Sequence, residues 1–148
     1  EFLNFCVSNS VEIFYVTNRD QGEATVQLAI ENLIAAGFPS ADEAHLRVLR
    51  ESSNKELVQQ EIREGYEVIA LLGDNLNDFA RRYYSTDVDQ RMSLMEEDRD
   101  SYGREYILFP NPTDGHWIRA IFGESEPNES DANRRILKDA ATRAAWAE

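Results

Sequence analysis

The stretch that decides the fold runs from residue 68 to residue 78 and reads VIALLGDNLND. Its first part, Val68–Leu72, is a short apolar run without polar alternation, which is typical of a parallel strand buried on both faces. Gly73 then permits a tight exit from the strand. Asp74 and Asp78 follow at a strand-to-helix turn, and open α/β sheets bind their ligands at such carboxyl ends. The segment therefore predicts a parallel sheet with a polar site at one edge.

Similar apolar runs occur elsewhere along the chain. They are Ile13–Val16, Tyr106–Phe109 and the weaker Leu46–Leu49. Apolar residues at helical spacing predict one helix over residues 26–37, and a second helix is predicted from Lys55 to Glu64, with Asn54 as its cap. Alternating strands and helices predict an α/β sheet with right-handed crossovers and flanking helices. We expect residues 1–148 to form one domain.

Two further helices are predicted from the sequence. The charge-rich segment Asp87–Asp100 predicts a solvated helix. The tail predicts a further helix, because several apolar residues share one face. These are Leu137, Ala140, Ala141 and Ala144. Cys6 is the only cysteine, and it lies in an apolar helical pattern, so we predict a core residue rather than a nucleophile.

The composition limits the classes of partner. The formal net charge is -13, and such an acidic chain is poorly suited to a phosphate backbone, so a long nucleic acid is not expected as a partner. A small anionic substrate stays compatible, because one bound metal ion inverts the local field. The alternative is that the acidity only maintains solubility. No stretch approaches the roughly 20 apolar residues of a membrane span.

The pair Asp74 and Asp78 suggests a metal site. The two carboxylates are four residues apart at the predicted turn, so both can face one pocket. Hard carboxylate oxygens suit Mg²⁺, which takes one or two protein carboxylates and keeps several waters. The alternative is structural: Asp74 or Asn75 caps the following helix.

A second polar loop follows the first apolar run. Thr17 ends that run and offers a hydroxyl suited to a phosphoryl oxygen, and Asn18 follows it. Lys55 opens a predicted helix, a position that the helix dipole does not favour for a cation, and an anionic partner would account for it. The alternatives are a structural threonine and a solvated lysine.

Together these elements resemble a known family. A strand ending in Thr17, a helix beginning with Lys55 and a strand followed by Gly-Asp-x-x-x-Asp resemble motifs two, three and four of the haloacid dehalogenase-like (HAD) phosphatases. The local strings narrow the resemblance to the class C, lipoprotein-type bacterial acid phosphatases, from Glu1 to about Ile121. These strings are FYVTNR at 14–19, GDNLNDF at 73–79, and FPNP at 109–112 followed by Gly115 and Trp117.

The resemblance implies a fold and an activity. The fold would be a HAD-like Rossmannoid parallel sheet with flanking helices. The activity would be Mg²⁺-dependent hydrolysis of small phosphate monoesters through a phosphoaspartate. Thr17, Asn18 and Lys55 would bind the phosphoryl group, Asp74 would bind the metal, and Asp78 would hold a metal-bound water or Lys55. The family also implies an exported protein, periplasmic or associated with the cell envelope.

The sequence departs from the family in one major respect. The family's motif one, Asp-x-Asp-x-Thr, carries the nucleophile and the general acid, and no such string occurs here. We expect it upstream of Glu1, on an N-terminal segment that would supply the central strand of the sheet, between the strands ending at Thr17 and Gly73. The chain alone should then be inactive. One alternative is a non-catalytic module that binds phosphate or metal, and another is a flavodoxin-like or other doubly wound domain.

Two smaller departures concern the substrate. Glu56 and Leu57 follow Lys55, where the family commonly has arginines. Asp114 stands before Gly115, where the family often has an aromatic residue that can stack on a nucleobase. The second departure weakens the expectation that the substrate is a nucleotide.

Overall fold

The structure is a computed structural model that describes residues 1–20 and 22–142. The chain divides into two compact units, Glu1–Ile62 (unit 1) and Arg63–Glu148 (unit 2). Among the described residues, no helix combines the length and the apolar character needed to cross a bilayer. The single domain over residues 1–148 stays a prediction.

Unit 1 contains two parallel strands, with one helix before them and one helix after each strand. In chain order the elements are α1 (Phe2–Ser8), β1 (Tyr15–Thr17), α2 (Thr25–Ala35), β2 (Leu46–Val48) and α3 (Lys55–Gly65). β1 and β2 pair in parallel, with Tyr15 opposite Leu46 and Thr17 opposite Val48. The weak strand prediction at residues 46–49 is therefore confirmed. The boundary between the units lies within α3.

The helix boundaries of unit 1 follow from local chemistry. The chain leaves α2 through Gly37, whose φ of 74° is a left-handed conformation that glycine adopts without a Cβ penalty. The side-chain oxygen of Asn54 accepts the N–H of Glu56 at 3.3 Å, which satisfies a donor in the first turn of α3. The core prediction for Cys6 is wrong: α1 has no buried residue, and Cys6 is partly exposed.

Unit 2 repeats the parallel pairing. Its regular elements are β3 (Leu71–Gly73), α4 (Val88–Glu97), β4 (Tyr106–Leu108), α5 (His116–Phe122) and α6 (Asp131–Ala141). β3 pairs with β4 in parallel, with Leu71 opposite Tyr106 and Gly73 opposite Leu108. The α/β fold class is thus confirmed. The tail helix is also confirmed up to Ala141, whereas Ala144 lies outside the described residues.

The core of unit 2 is built directly behind the end of β3. Leu76, Phe79 and Tyr83 form a buried cluster. The Phe79 ring stacks on Tyr106 with a centroid distance of 4.8 Å and meets Tyr102 edge-on at 6.0 Å. The Tyr83 hydroxyl donates to the carboxylate of Asp98 at 2.5 Å, so this buried polar group is satisfied.

Two sequence predictions need correction in unit 2. The strands were expected to be buried on both faces, yet Leu72 and Leu108 are each 40% exposed. The segment Asp87–Asp100 was expected to be a solvated helix. Its helical part, α4, instead buries Arg91 and half-buries Met92 and Met95. The charge pattern does not predict this burial, because burial of a long side chain depends on contacts with residues that are distant in sequence.

Candidate active site

The loop that follows β3 is organised around Asp78. The buried carboxylate of Asp78 accepts the backbone N–H of Asp74 at 3.2 Å and that of Asn75 at 3.1 Å through the same oxygen. A Cβ on Gly73 would lie only 2.6 Å from both the Cβ and the carboxylate of Asp78. Gly73 is therefore required by close approach, and Asp78 closes the loop upon it.

Asp74 lies at the exposed tip of this loop. One of its carboxylate oxygens accepts the Asn75 side-chain N–H at 2.8 Å, and the other accepts the Asn111 side-chain N–H at 2.9 Å. Two amide donors thus fix the direction of the carboxylate. Each oxygen keeps a further lone pair for a cation or water.

The loop after β4 contacts the loop after β3. The side-chain oxygen of Asn75 accepts the backbone N–H of His116 at 3.2 Å. Gly115 has a φ of 127°, and a Cβ there would lie 1.9 Å from that Asn75 oxygen. The two strand-end loops of unit 2 therefore hold one another through Asn75, Asn111 and Gly115.

The donor set suits Mg²⁺, which keeps several water ligands, better than a metal ion that must be bound by protein side chains alone. Within residues 1–20 and 22–142, no three or more His, Cys, Asp or Glu side chains are grouped as metal ligands. Asp74 offers one exposed, oriented carboxylate, and Mg²⁺ commonly takes one or two carboxylates together with water and substrate phosphate. The Asp78 oxygen is used by the loop's own N–H groups, and its role in holding the metal stays a prediction.

The polar loop of unit 1 is held differently. The Thr17 hydroxyl accepts the N–H of Arg19 at 3.2 Å. Asp20 anchors the loop by accepting from the Thr25 hydroxyl at 2.9 Å and from the Arg50 guanidinium at 2.6 Å. The hydrogen bond from Thr25, helped by the N–H of Gly22 and by Arg50, lowers the pKa of the Asp20 carboxyl. Asn18 and Arg19, which lie between Thr17 and Asp20, are exposed.

The predicted site residues lie in both units. Asp74 and Asp78 lie together in one loop of unit 2, and Thr17, Asn18 and Lys55 belong to unit 1. Lys55 is the half-buried first residue of α3. The convergence of the two groups, and the catalytic and binding roles of all five residues, stay predictions.

Sequence reasoning missed the residues that orient Asp74. No role was assigned to Asn111, although it lies in the Pro-Asn-Pro loop directly after an apolar run. Because the carboxyl ends of neighbouring parallel strands meet at one edge, that position was a usable signal. Asn75 was considered only as a helix cap, and its contact with residue 116 could not be read from local sequence.

Comparison with known proteins agrees with this architecture. A family model described as HAD superfamily, subfamily IIIB (acid phosphatase), matches residues 1–117. The class C acid phosphatase from Bacillus anthracis is 26% identical with a TM-score of 0.78, and the match covers 97% of this chain and 59% of that protein. A structure of the same enzyme with tungstate bound matches equally well.

The chain thus spans less than two thirds of these relatives. The family match nevertheless covers most of its 148 residues. The chain therefore belongs to the HAD superfamily, subfamily IIIB, the acid phosphatases.

Proposed function

We propose that this chain carries the metal-binding and phosphate-orienting part of a Mg²⁺-dependent acid phosphatase that hydrolyses small phosphate monoesters through a phosphoaspartate. The observation that supports this most is the Asp74 carboxylate, exposed at the end of β3 and fixed by the amides of Asn75 and Asn111. An oriented carboxylate at the carboxyl edge of a parallel sheet suits a metal ion that must also contact substrate.

The residues have separate tasks in this proposal. Asp74 would hold Mg²⁺, which when bound supplies positive charge against the phosphate dianion. Asp78 keeps the loop closed through two backbone N–H groups, so that Asp74 does not need to reorganise. Thr17 and Asn18 would bind phosphoryl oxygens, and Lys55 would balance the developing negative charge.

The nucleophile must come from residues that this sequence does not contain. No Asp-x-Asp-x-Thr string occurs among the 148 residues. A covalent phosphoaspartate needs such an aspartate, because positioning and electrostatics alone form no acyl-phosphate bond. We therefore expect the 148 residues by themselves to show no turnover. The proposal includes export to the periplasm or cell envelope, which rests on the class C resemblance alone.

The second candidate is a non-catalytic module that binds metal or phosphate. The feature in its favour is the combination of an organised Asp74 loop with the absence of a nucleophile motif in this sequence. Such a module would bind Mg²⁺ as the enzyme does, and it would stay inactive when a motif-one segment is provided.

The two candidates are separated by an assay with p-nitrophenyl phosphate and MgCl2. A polypeptide extended by a segment that carries Asp-x-Asp-x-Thr should hydrolyse the ester, and Asp74→Asn should lower kcat/KM at least about 100-fold, a magnitude typical of a lost transition-state charge partner. The exposed Asp100→Asn serves as a charge-matched control and should behave as the parent. A folded extended protein without activity would favour the binding module.

The 148-residue chain is the other arm of this assay. Hydrolysis by the chain alone that is lost in Asp74→Asn would show that the nucleophile assignment is wrong. Hydrolysis by the extended protein that persists without divalent metal would show that the proposed role of Mg²⁺ is wrong.

A further inference from the structure

Arg91 is a cation that α4 buries without a carboxylate partner. The residue is 6% exposed, and in the part of the chain that the structure describes it forms no ion pair. Its Nη1 instead donates to the backbone carbonyl of Tyr83 and lies 3.4 Å from Nδ1 of His116. Burying a guanidinium without a countercharge is costly, and an apolar side chain of similar length would avoid that cost. What Arg91 adds at this position is a hydrogen-bond donor beside His116.

The ring of His116 has two neighbours that fix its position. A guanidinium only donates, so Nδ1 of His116 accepts from Arg91. The ring also packs against Tyr84, with the two centroids 4.0 Å apart. Burial, followed by the charge of Arg91, lowers the pKa of His116, which favours the neutral ring that this contact requires. The first residue of α5 is therefore anchored by its own side chain.

His116 in turn contacts the loop that carries Asp74. Its backbone N–H is one of the donors that a helix start leaves without an intrahelical acceptor, and it donates to the side-chain oxygen of Asn75 at 3.2 Å. The side-chain N–H of the same amide donates to the Asp74 carboxylate at 2.8 Å. Because resonance keeps an amide planar, fixing its oxygen also fixes the direction of its N–H bonds. A chain of three hydrogen bonds thus connects Arg91 to Asp74.

We infer that Arg91 and His116 are positioning residues for the carboxylate of Asp74. Arg91 holds the His116 ring, the His116 N–H holds the Asn75 amide, and that amide orients the carboxylate. The inference rests on the metal-binding role proposed for Asp74. Removing a group that orients a metal ligand typically weakens metal binding by about 10- to 100-fold, and the lower end of that range is expected for residues that act through Asn75.

The affinity of the 148-residue chain for Mn²⁺, measured by electron paramagnetic resonance, tests this. His116→Phe keeps an aromatic ring against Tyr84 but removes the acceptor, and it should weaken Mn²⁺ binding about tenfold. His116→Asn supplies a side-chain oxygen close to the position of Nδ1 and should restore the affinity of the parent. Arg91→Met should also weaken binding about tenfold. Loss of a positive charge by itself would strengthen the binding of a cation, so this weakening would identify positioning.

A control on the same helix separates positioning from a general loss of structure. Leu94 packs against the buried cluster of unit 2, so Leu94→Ala should lower the free energy of unfolding and leave the Mn²⁺ affinity unchanged. Circular dichroism establishes folding of each variant. Unchanged affinity in folded His116→Phe, tighter binding in Arg91→Met, or an equal loss of affinity in Leu94→Ala would each overturn the proposal. If Arg91→Met does not fold, the two His116 variants decide.

Hydrogen exchange measured by NMR reports the same contacts without metal. The backbone N–H of residue 116 should exchange faster in His116→Phe and Arg91→Met than in the parent, and His116→Asn should slow it again. Unchanged exchange in both weakened variants would overturn the proposal. Absence of Mn²⁺ binding by the parent would instead contradict the proposed function, and the exchange rates would then decide whether Arg91 and His116 hold the Asn75 amide.

Discussion

The strand-end loops of the two units are stabilised in different ways: the loop of unit 2 leads into a buried core, and the loop of unit 1 is held by polar contacts. In unit 2 the residues directly after Asp74 enter the core: Leu76 and Phe79 are buried, and Tyr83 is 0% exposed. In unit 1, Leu46 is the one buried hydrophobic residue among those described, and Phe5 is 65% exposed. The Thr17 loop instead depends on the polar contacts of Asp20. Site geometry and stability should therefore be tightly linked in unit 2 and loosely linked in unit 1.

The strongest test of this contrast is truncation of one aromatic ring in each unit. Phe79→Ala should lower the free energy of unfolding by about 3–5 kcal/mol, because it removes a buried ring and leaves a cavity against Tyr102 and Tyr106. Phe5→Ala should change it by less than about 0.5 kcal/mol, as is usual for exposed positions. Urea denaturation followed by circular dichroism measures both. Similar losses of unfolding free energy in the two variants would contradict the proposed difference between the units.

A smaller effect is expected from two glycine substitutions. Gly73→Ala places a Cβ 2.6 Å from Asp78, so we expect a loss of about 1–3 kcal/mol in unfolding free energy from the forced shift of the loop. Gly65→Ala in α3 is the matched control, because its new Cβ meets no atom within 4 Å. It should be neutral or stabilising by up to about 1 kcal/mol. Equal stability of the Gly73→Ala protein and its parent would mean that the loop is not closed by Asp78.

The carboxylates that anchor the two loops give a finer comparison. Asp78→Asn weakens the acceptor for two backbone N–H groups at a buried position, and it should cost about 1–2 kcal/mol in unfolding free energy. Asp20→Asn affects an exposed anchor of the Thr17 loop and should cost less, because solvent replaces its partners. Thermal denaturation at neutral pH compares the two variants. A larger loss for Asp20→Asn would reverse the proposed order.

The smallest expected effect is a difference in pKa between the two histidines, one in each unit. The hydrogen bond from His45 to Asp42 at 2.7 Å, supported by Glu12, raises the pKa of His45. Burial and neighbouring arginines lower the pKa of His116. NMR titration of the ring protons should therefore place the two midpoints on opposite sides of about 6.5, the ordinary histidine value. Coincident midpoints would contradict both environments.

These shifts have opposite consequences for stability. The contribution of His45 is complete below about pH 6.5 and is lost as the pH rises through its raised pKa. The contribution of His116 is complete above about pH 6.5 and is lost as the pH falls through its lowered pKa. Replacing each histidine by Gln and measuring unfolding between pH 5 and pH 8 should show these opposite slopes.

Local chemistry was sufficient to predict the order of elements. Apolar runs gave the four strands, although the observed strands are shorter, and β1 begins at Tyr15 rather than Ile13. Gly37 and Asn54 marked helix ends because their effects act within a few residues. The Gly73–Asp78 loop was equally local, since Asp78 contacts backbone only three and four residues away.

The remaining features depend on contacts that no short pattern encodes. Asn111 reaches Asp74 across 37 positions, and His116 reaches Asn75 across 41. Arg91 looked like one more charge on a solvated helix, and only the packing of α4 against its neighbours buries it. For the same reason Cys6 was misread, since an apolar pattern does not reveal whether its face is covered.

We propose that the Asp74 loop is the divalent-cation site of a phosphatase. Mn²⁺ added to the 148-residue chain as a paramagnetic substitute for Mg²⁺ tests it directly through broadening of amide resonances. We expect the strongest broadening at Asp74, Asn75 and Asn111, its reversal by excess Mg²⁺, its loss in Asp74→Asn and its persistence in Asp100→Asn. Broadening spread over exposed acidic residues, or unchanged in Asp74→Asn, would contradict the account.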